Sequence, residues 1–187
     1  MRIITVDKQE FGVLCEKLLA EIQISGYEFD TLVAVARAGV YLAERLAGEN
    51  YFTVKCEREG TAVKKGWIKG LIRRLPVWVN DNLRKLEYQV LALKDISSGY
   101  KARKVIITQE LEKRLKTGGR KVLIVDDAVD SGRSLLSVKE TLFRINTNNE
   151  IRTAVITVTR TAPILQPDYA LYRNQTLIRF PWAADFS

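Results

Sequence analysis

The stretch "KVLIVDDAVDSGRSLL", Lys121–Leu136, decides how the rest of the chain is read. Four aliphatic residues run into the adjacent carboxylates Asp126 and Asp127, and a third acid, Asp130, follows. Ser131, Gly132 and Ser134 then lie immediately before an apolar stretch. An uninterrupted aliphatic run is the pattern of a strand buried on both faces. Small and hydroxyl-bearing residues at a helix start let the backbone amides approach an anion. The acids have two readings on these residues alone. Asp127 or Asp130 caps the following helix, or the acids hold a ligand. Carboxylates beside a phosphate cradle would repel the phosphate unless they held something else, such as ribose hydroxyls or a magnesium-bound sugar. No G-x-x-x-x-G-K-[ST] loop occurs anywhere in the chain, so this is not a Walker A site.

Working outward, the same two periods recur. "MRIITV" reads as a short strand. The next segment places Phe11, Leu14, Cys15, Leu18, Leu19 and Ile22 at helical spacing, with Gly26 as its stop. "DTLVAVA" is a second strand buried on both faces; "RAG" is a tight loop and "VYLAERLAGEN" a helix ending at Gly48. "YFTVKCE", "QVLALKDI", "KVIIT" and "RTAVITVT" read as strands, "TQELEKRLKTGG" and "SLLSVKETLFRI" as helices. Alternating strands and helices argue for an α/β fold, a mainly parallel sheet with helices on both faces. Ligands in such folds bind outside the carboxyl ends of the strands. Two loops occupy such ends, "ARAG" at 36–39 and "DDAVDSGRS" at 126–134.

Composition narrows the chemistry. The 187 residues are 47% apolar, enough for one domain with a substantial core. Histidine is absent, which excludes Ser-His and Cys-His catalysis and His-based zinc sites. Cys15 and Cys56 lack metal-ligand spacing, and no apolar run reaches the ~18 residues of a membrane span. With no signal-peptide pattern at the N-terminus, these features point to the cytoplasm. The net charge of +8 favours an anionic ligand. Between Lys55 and Leu86, nine Lys or Arg stand against three Asp or Glu, so one segment carries +6 of it.

"VLIVDDAVDSGRSL" resembles the phosphoribosyl-pyrophosphate (PRPP) signature of type I phosphoribosyltransferases, with Ser131 at the family's usual Thr and Arg133 at a position usually small or Lys. "DTLVAVARAGVYLAERLA" is similar to the family's first strand and pyrophosphate loop. "ISSGYKARKVIIT" resembles the mobile loop of the 6-oxopurine members, and "PDYALYRNQTLIRFPW" the last segment of xanthine-guanine- and hypoxanthine-type members. The resemblance implies transfer of ribose 5-phosphate from PRPP to a nitrogen of a purine-like base, with release of pyrophosphate. It implies a type I fold with a small hood.

The roles it implies are specific. Asp126 and Asp127 bind the ribose hydroxyls, directly or through Mg2+. The backbone of Asp130, Ser131, Gly132, Arg133 and Ser134, with the two serine hydroxyls, holds the 5′-phosphate. Asp130 acts on the base's N7 proton. Arg37, Ala38 and Gly39 meet the pyrophosphate, and Ser97, Ser98 and Tyr100 form a lid. In the base pocket, Arg160 is nearest to the family's usual lysine and Leu177 stands where xanthine-guanine members have a stacking tryptophan. Ala183 replaces the acid that usually follows "PW", with Asp185 two residues on.

A basic segment at about 57–88 is extra to this pattern, an insertion into one domain spanning 1–187. Trp67, Leu71, Leu75 and Trp78 fall on one helical face, with Pro76 as a break. The favoured role of that face is to cover the site or pack in a homodimer, a common state of type I enzymes. Contact with nucleic acid or an acidic membrane is the less favoured role. The alternative to an enzyme is a PRPP- or nucleotide-binding regulatory protein of the same fold, without catalytic activity, that in some forms adds nucleic-acid binding.

Overall fold

The computed structural model describes residues 2–57, 102–173 and 175–183. The basic segment beyond Glu57, the strand expected at "QVLALKDI", Ser97, Ser98, Tyr100 and Asp185 lie outside the described residues. Six strands form the main sheet, in the order β4-β3-β2-β5-β6-β7. These are β2 (Thr31–Ala36), β3 (Phe52–Glu57), β4 (Lys104–Ile106), β5 (Lys121–Val129), β6 (Glu150–Val158) and β7 (Tyr169–Tyr172). All neighbours run parallel except β4, which pairs antiparallel with β3. Four helices are described: α1 (Lys8–Ile24), α2 (Gly39–Ala47), α3 (Gln109–Lys116) and α4 (Arg133–Ile145).

The continuous aliphatic runs serve two cores at once. Leu32 and Ala34 of β2, Leu123 and Val125 of β5, and Ala154 and Ile156 of β6 pack with α1 and α2. Val33 and Val35, Val122 and Ile124, and Val155 and Val158 pack with α3 and α4 on the other face. Successive side chains of a strand point to opposite faces, so a strand between two helix layers needs apolar residues at every position. A fully buried Leu or Ile contributes about 1.5–3 kcal/mol, and Leu123 and Ile124 are both completely buried.

Two helix starts are locally encoded by side-chain caps. Asp7 caps α1 in a capping box with Glu10, and Thr108 caps α3 through Leu111 N–H. The start of α4 differs. Its N-cap is Gly132, at φ +79°, and no side chain caps it. Neither Asp127 nor Asp130 therefore plays the capping role.

β1 (Arg2–Thr5) and β8 (Thr176–Arg179) form a separate parallel pair. It is carried beside the end of β6, where the Thr157 hydroxyl donates to the Thr176 carbonyl at 2.6 Å. This places the hood on the carboxyl edge of the main sheet.

Candidate active site

The chain reverses its winding between β2 and β5. From β2 it crosses by α2 to β3 on one side; from β5 it crosses by α4 to β6 on the other. Adjacent strands that leave in opposite directions open a crevice at their carboxyl ends. The loops 36–39 and 126–134 meet at this crevice.

Gly39 packs tightly between them. A Cβ on Gly39 would lie 2.5 Å from the Val125 carbonyl oxygen and 3.1 Å from the Asp126 Cα. Only glycine lets the start of α2 approach β5 that closely. Arg37, two residues before Gly39, is exposed and follows a cis Ala36–Arg37 peptide.

β5 does not stop at the acids, as the sequence pattern suggested. It runs on to Val129, paired with β6 through Asp126–Val155, Ala128–Thr157 and Val129–Val158. Its last pair with β2 is Ala34–Val125. Backbone pairing along β6 sustains the strand after its β2 partner has turned away. Asp126 and Asp127 consequently sit on a strand edge that opens toward loop 36–39.

The two carboxylates are not equivalent. Asp126 Oδ1 accepts the Asp127 backbone N–H at 2.9 Å. Asp127 Oδ2 faces the Trp182 indole N–H at 3.4 Å. Burial pushes the Asp127 carboxyl above the ordinary carboxylate range, and the Trp182 N–H and neighbouring Asp126 pull it partly back. Trp182 is itself clamped between Tyr41 of α2, 4.3 Å between ring centroids, and Phe180 at 4.9 Å, with Phe11 of α1 at its edge. Stacked and edge-on aromatic contacts of this kind fix ring orientation.

Past the strand, the loop closes against the segment after β6. Ser131 accepts a hydrogen bond from Ile164 N–H at 3.0 Å. A Cβ on Gly132 would meet the Leu165 backbone nitrogen at 2.8 Å. Ser134 is in the first turn of α4, where its hydroxyl accepts from Arg103 Nη1. Cys56 of β3 lies against the Ser134 carbonyl, with the sulfur 3.9 Å from the oxygen.

Asp130 and Arg160 are brought together directly. Arg160 Nε donates to Asp130 Oδ1 at 2.7 Å and Nη2 to Oδ2 at 3.3 Å. The Thr159 hydroxyl lies 3.3 Å from Oδ1. The Arg160 side chain is 12% exposed and that of Asp130 49%. An ion pair with one half-exposed partner contributes at most about 1 kcal/mol, so a ligand can compete for Asp130. Leu177 is half-buried in β8 and paired in register with Ile3.

Sequence reasoning named the crevice loops but missed Trp182, Tyr41 and Arg103. The "PW" motif was a signal for the first. Nothing local distinguishes Tyr41 or Arg103.

The phosphoribosyl transferase domain matches residues 67–186. The chain belongs to that family. Membership supports phosphoribosyl transfer by a glycosyltransferase-type enzyme. Solved structures of low sequence identity share the fold. The purine phosphoribosyltransferase of Pyrococcus horikoshii Ot3 is 19% identical, with TM-score 0.59, 97% of this chain and 94% of that one covered. The Helicobacter pylori xanthine-guanine-hypoxanthine phosphoribosyltransferase is 18% identical, with TM-score 0.59 and coverage of 98% and 96%. A hypothetical protein from Neisseria gonorrhoeae, crystallised with bound ppGpp, is 17% identical, with TM-score 0.58 and coverage of 99% and 92%. No curated protein sequence matches the chain. Among the described residues, no helix is long and apolar enough to cross a membrane.

Proposed function

We propose that this protein transfers ribose 5-phosphate from PRPP to a nitrogen of a purine-like base and releases pyrophosphate. The observation that carries the reading is the junction at the switch point. There Gly39 packs on Val125 and Asp126, next to a helix start that no side chain caps. Family membership supports the reaction type. The purine class rests on the resemblance of the C-terminal segment and on what the similarly folded Pyrococcus and Helicobacter proteins are named for.

Each residue has a task in this reading. Backbone amides of Ser131–Ser134 and the hydroxyls of Ser131 and Ser134 hold the 5′-phosphate at the helix N-terminus. Asp126 and Asp127 take the ribose hydroxyls, with Trp182 orienting Asp127. Arg37, always charged, meets the leaving pyrophosphate with the Ala38–Gly39 backbone. These contacts fix the sugar between base and leaving group, so the barrier falls by positioning and charge stabilisation. Asp130 exchanges a proton with the base, and Arg160 turns from Asp130 toward the exocyclic oxygen of that base.

Magnesium fits this donor set. Among the described residues, no group of three or more His, Cys, Asp or Glu is arranged to hold a metal. Asp126 and Asp127 alone suit an ion that takes most of its ligands from water and phosphate oxygens. When bound, Mg2+ would supply charge neutralisation on the pyrophosphate. Incubation with PRPP, Mg2+ and a panel of bases should release pyrophosphate with at least one purine-like base. No release with any of them would refute the reading.

A second reading is favoured by the Asp130–Arg160 pair, which occupies the acid needed for proton transfer. In it the crevice binds a nucleotide or PRPP without turnover, as a regulatory protein. The similarly folded Neisseria protein was crystallised with such a nucleotide, ppGpp. Tight binding of PRPP or ppGpp with no pyrophosphate release would select this reading over the first.

A further inference from the structure

We propose that Arg103 is a ligand-contacting residue of the phosphate loop, placing a guanidinium on the 5′-phosphate of ribose 5-phosphate. This deepens the function proposed above and rests on Ser131–Ser134 being the 5′-phosphate site. The fold brings Arg103 there by reversing one strand. β4 runs antiparallel to β3, pairing Glu57 with Lys104 and Cys56 with Val105. The residue before β4 therefore emerges at the carboxyl edge of the sheet, beside the start of α4.

Ser137 and Ser134 both hold it in place. Its backbone N–H donates to the Ser137 hydroxyl at 2.9 Å, and Ser137 is 2% exposed. Its Nη1 donates to the Ser134 hydroxyl. A serine hydroxyl that accepts from a cation keeps its single proton for another acceptor. Arg103 thus orients the Ser134 O–H and strengthens it as a donor, and places its charge beside the loop. The charge is needed locally. Asp126, Asp127 and Asp130 put three carboxylates around the loop, and the Arg160 guanidinium beside it already contacts Asp130. A phosphate dianion docking among them requires a compensating cation.

Calorimetric titration with ribose 5-phosphate and, separately, with pyrophosphate tests the assignment on the wild type, Arg103→Met and Arg103→Lys. Loss of a charge-assisted hydrogen bond should weaken ribose 5-phosphate about 10- to 100-fold in Arg103→Met. Arg103→Lys should recover part of that loss, and pyrophosphate affinity should stay within about twofold. Arg103 and Ser134→Ala should be non-additive, because they act on one oxygen. Unchanged ribose 5-phosphate affinity in Arg103→Met would overturn the proposal and leave the phosphate-loop reading standing. So would equal weakening of both ligands with a lowered melting temperature, which marks a purely structural pin. A wild type that binds neither ligand would instead bring down the phosphate-loop reading itself, and this assignment with it.

Discussion

Gly39→Ala tests the junction on which the functional reading depends. The added Cβ would lie 2.5 Å from the Val125 carbonyl oxygen. Comfortable heavy-atom separation is about 3.5 Å, so α2 and β5 must part by roughly 1 Å. The obstacle is strand backbone with partners on both sides, so a rotamer change cannot relieve it. Overpacking of this kind typically costs about 1–3 kcal/mol. At about 2–4 °C per kcal/mol for a chain this size, the melting temperature should fall by several degrees. The larger effect falls on turnover. Arg37 and the acid pair move apart, and a misplacement of about 1 Å can cost about 100-fold in rate. Pyrophosphate release at varied PRPP, alongside thermal melting, measures both. Gly12→Ala is the control, because its Cβ would meet nothing nearer than Arg45 Nη1 at 4.0 Å. Gly12 lies inside α1, so alanine there should stabilise by about 0.5–1 kcal/mol. Refutation would be a Gly39→Ala enzyme with the wild-type melting temperature and the wild-type kcat/KM for PRPP.

Three further outcomes follow from the same structure. Asp130→Asn should lower turnover by about 100- to 10,000-fold, the usual contribution of a general base, while PRPP affinity by calorimetry changes little. Unchanged turnover would reduce Asp130 to a partner for Arg160. Gly132→Val should weaken ribose 5-phosphate and lower stability together, because residue 132 has φ +79° and its Cβ would press on Leu165; wild-type values for both would mean the loop opens freely. Alkaline stability should depend on Cys15, whose thiol is pushed up to about 12, well above the ordinary thiol range, chiefly by burial. The raised value makes the neutral thiol a folded-state preference. That contribution is complete below about pH 9 and is lost as pH rises toward 12, by up to about 1.4 kcal/mol per unit. Cys15→Val should flatten this fall in denaturant titrations at pH 8–11. Cys15 should also resist alkylation at pH 8 until the chain is unfolded.

What the amino-acid sequence determined by itself was everything carried by short periods. The unbroken aliphatic runs of β2, β5 and β6 announce strands between two helix layers, because each face must be apolar. The helices showed in the 3.6-residue spacing of residues such as Phe11, Leu14, Leu18 and Ile22, all buried on one side of α1. The crevice loops were legible because acids, glycine and serines cluster within nine consecutive residues, 126–134. Tertiary structure alone decided the partners. Whether Asp130 caps a helix or faces Arg160 depends on where the segment after β6 returns, thirty residues later. The antiparallel direction of β4 brings Arg103 to Ser134, and the hood's path brings Trp182 to Asp127, across 31 and 55 residues of sequence. The extension of β5 past its acids was hidden for the same reason, since it depends on backbone pairing with β6. Periodicity reports which face of an element is buried. It carries no record of strand order, direction or register, and those are set by how whole faces pack once the chain has closed.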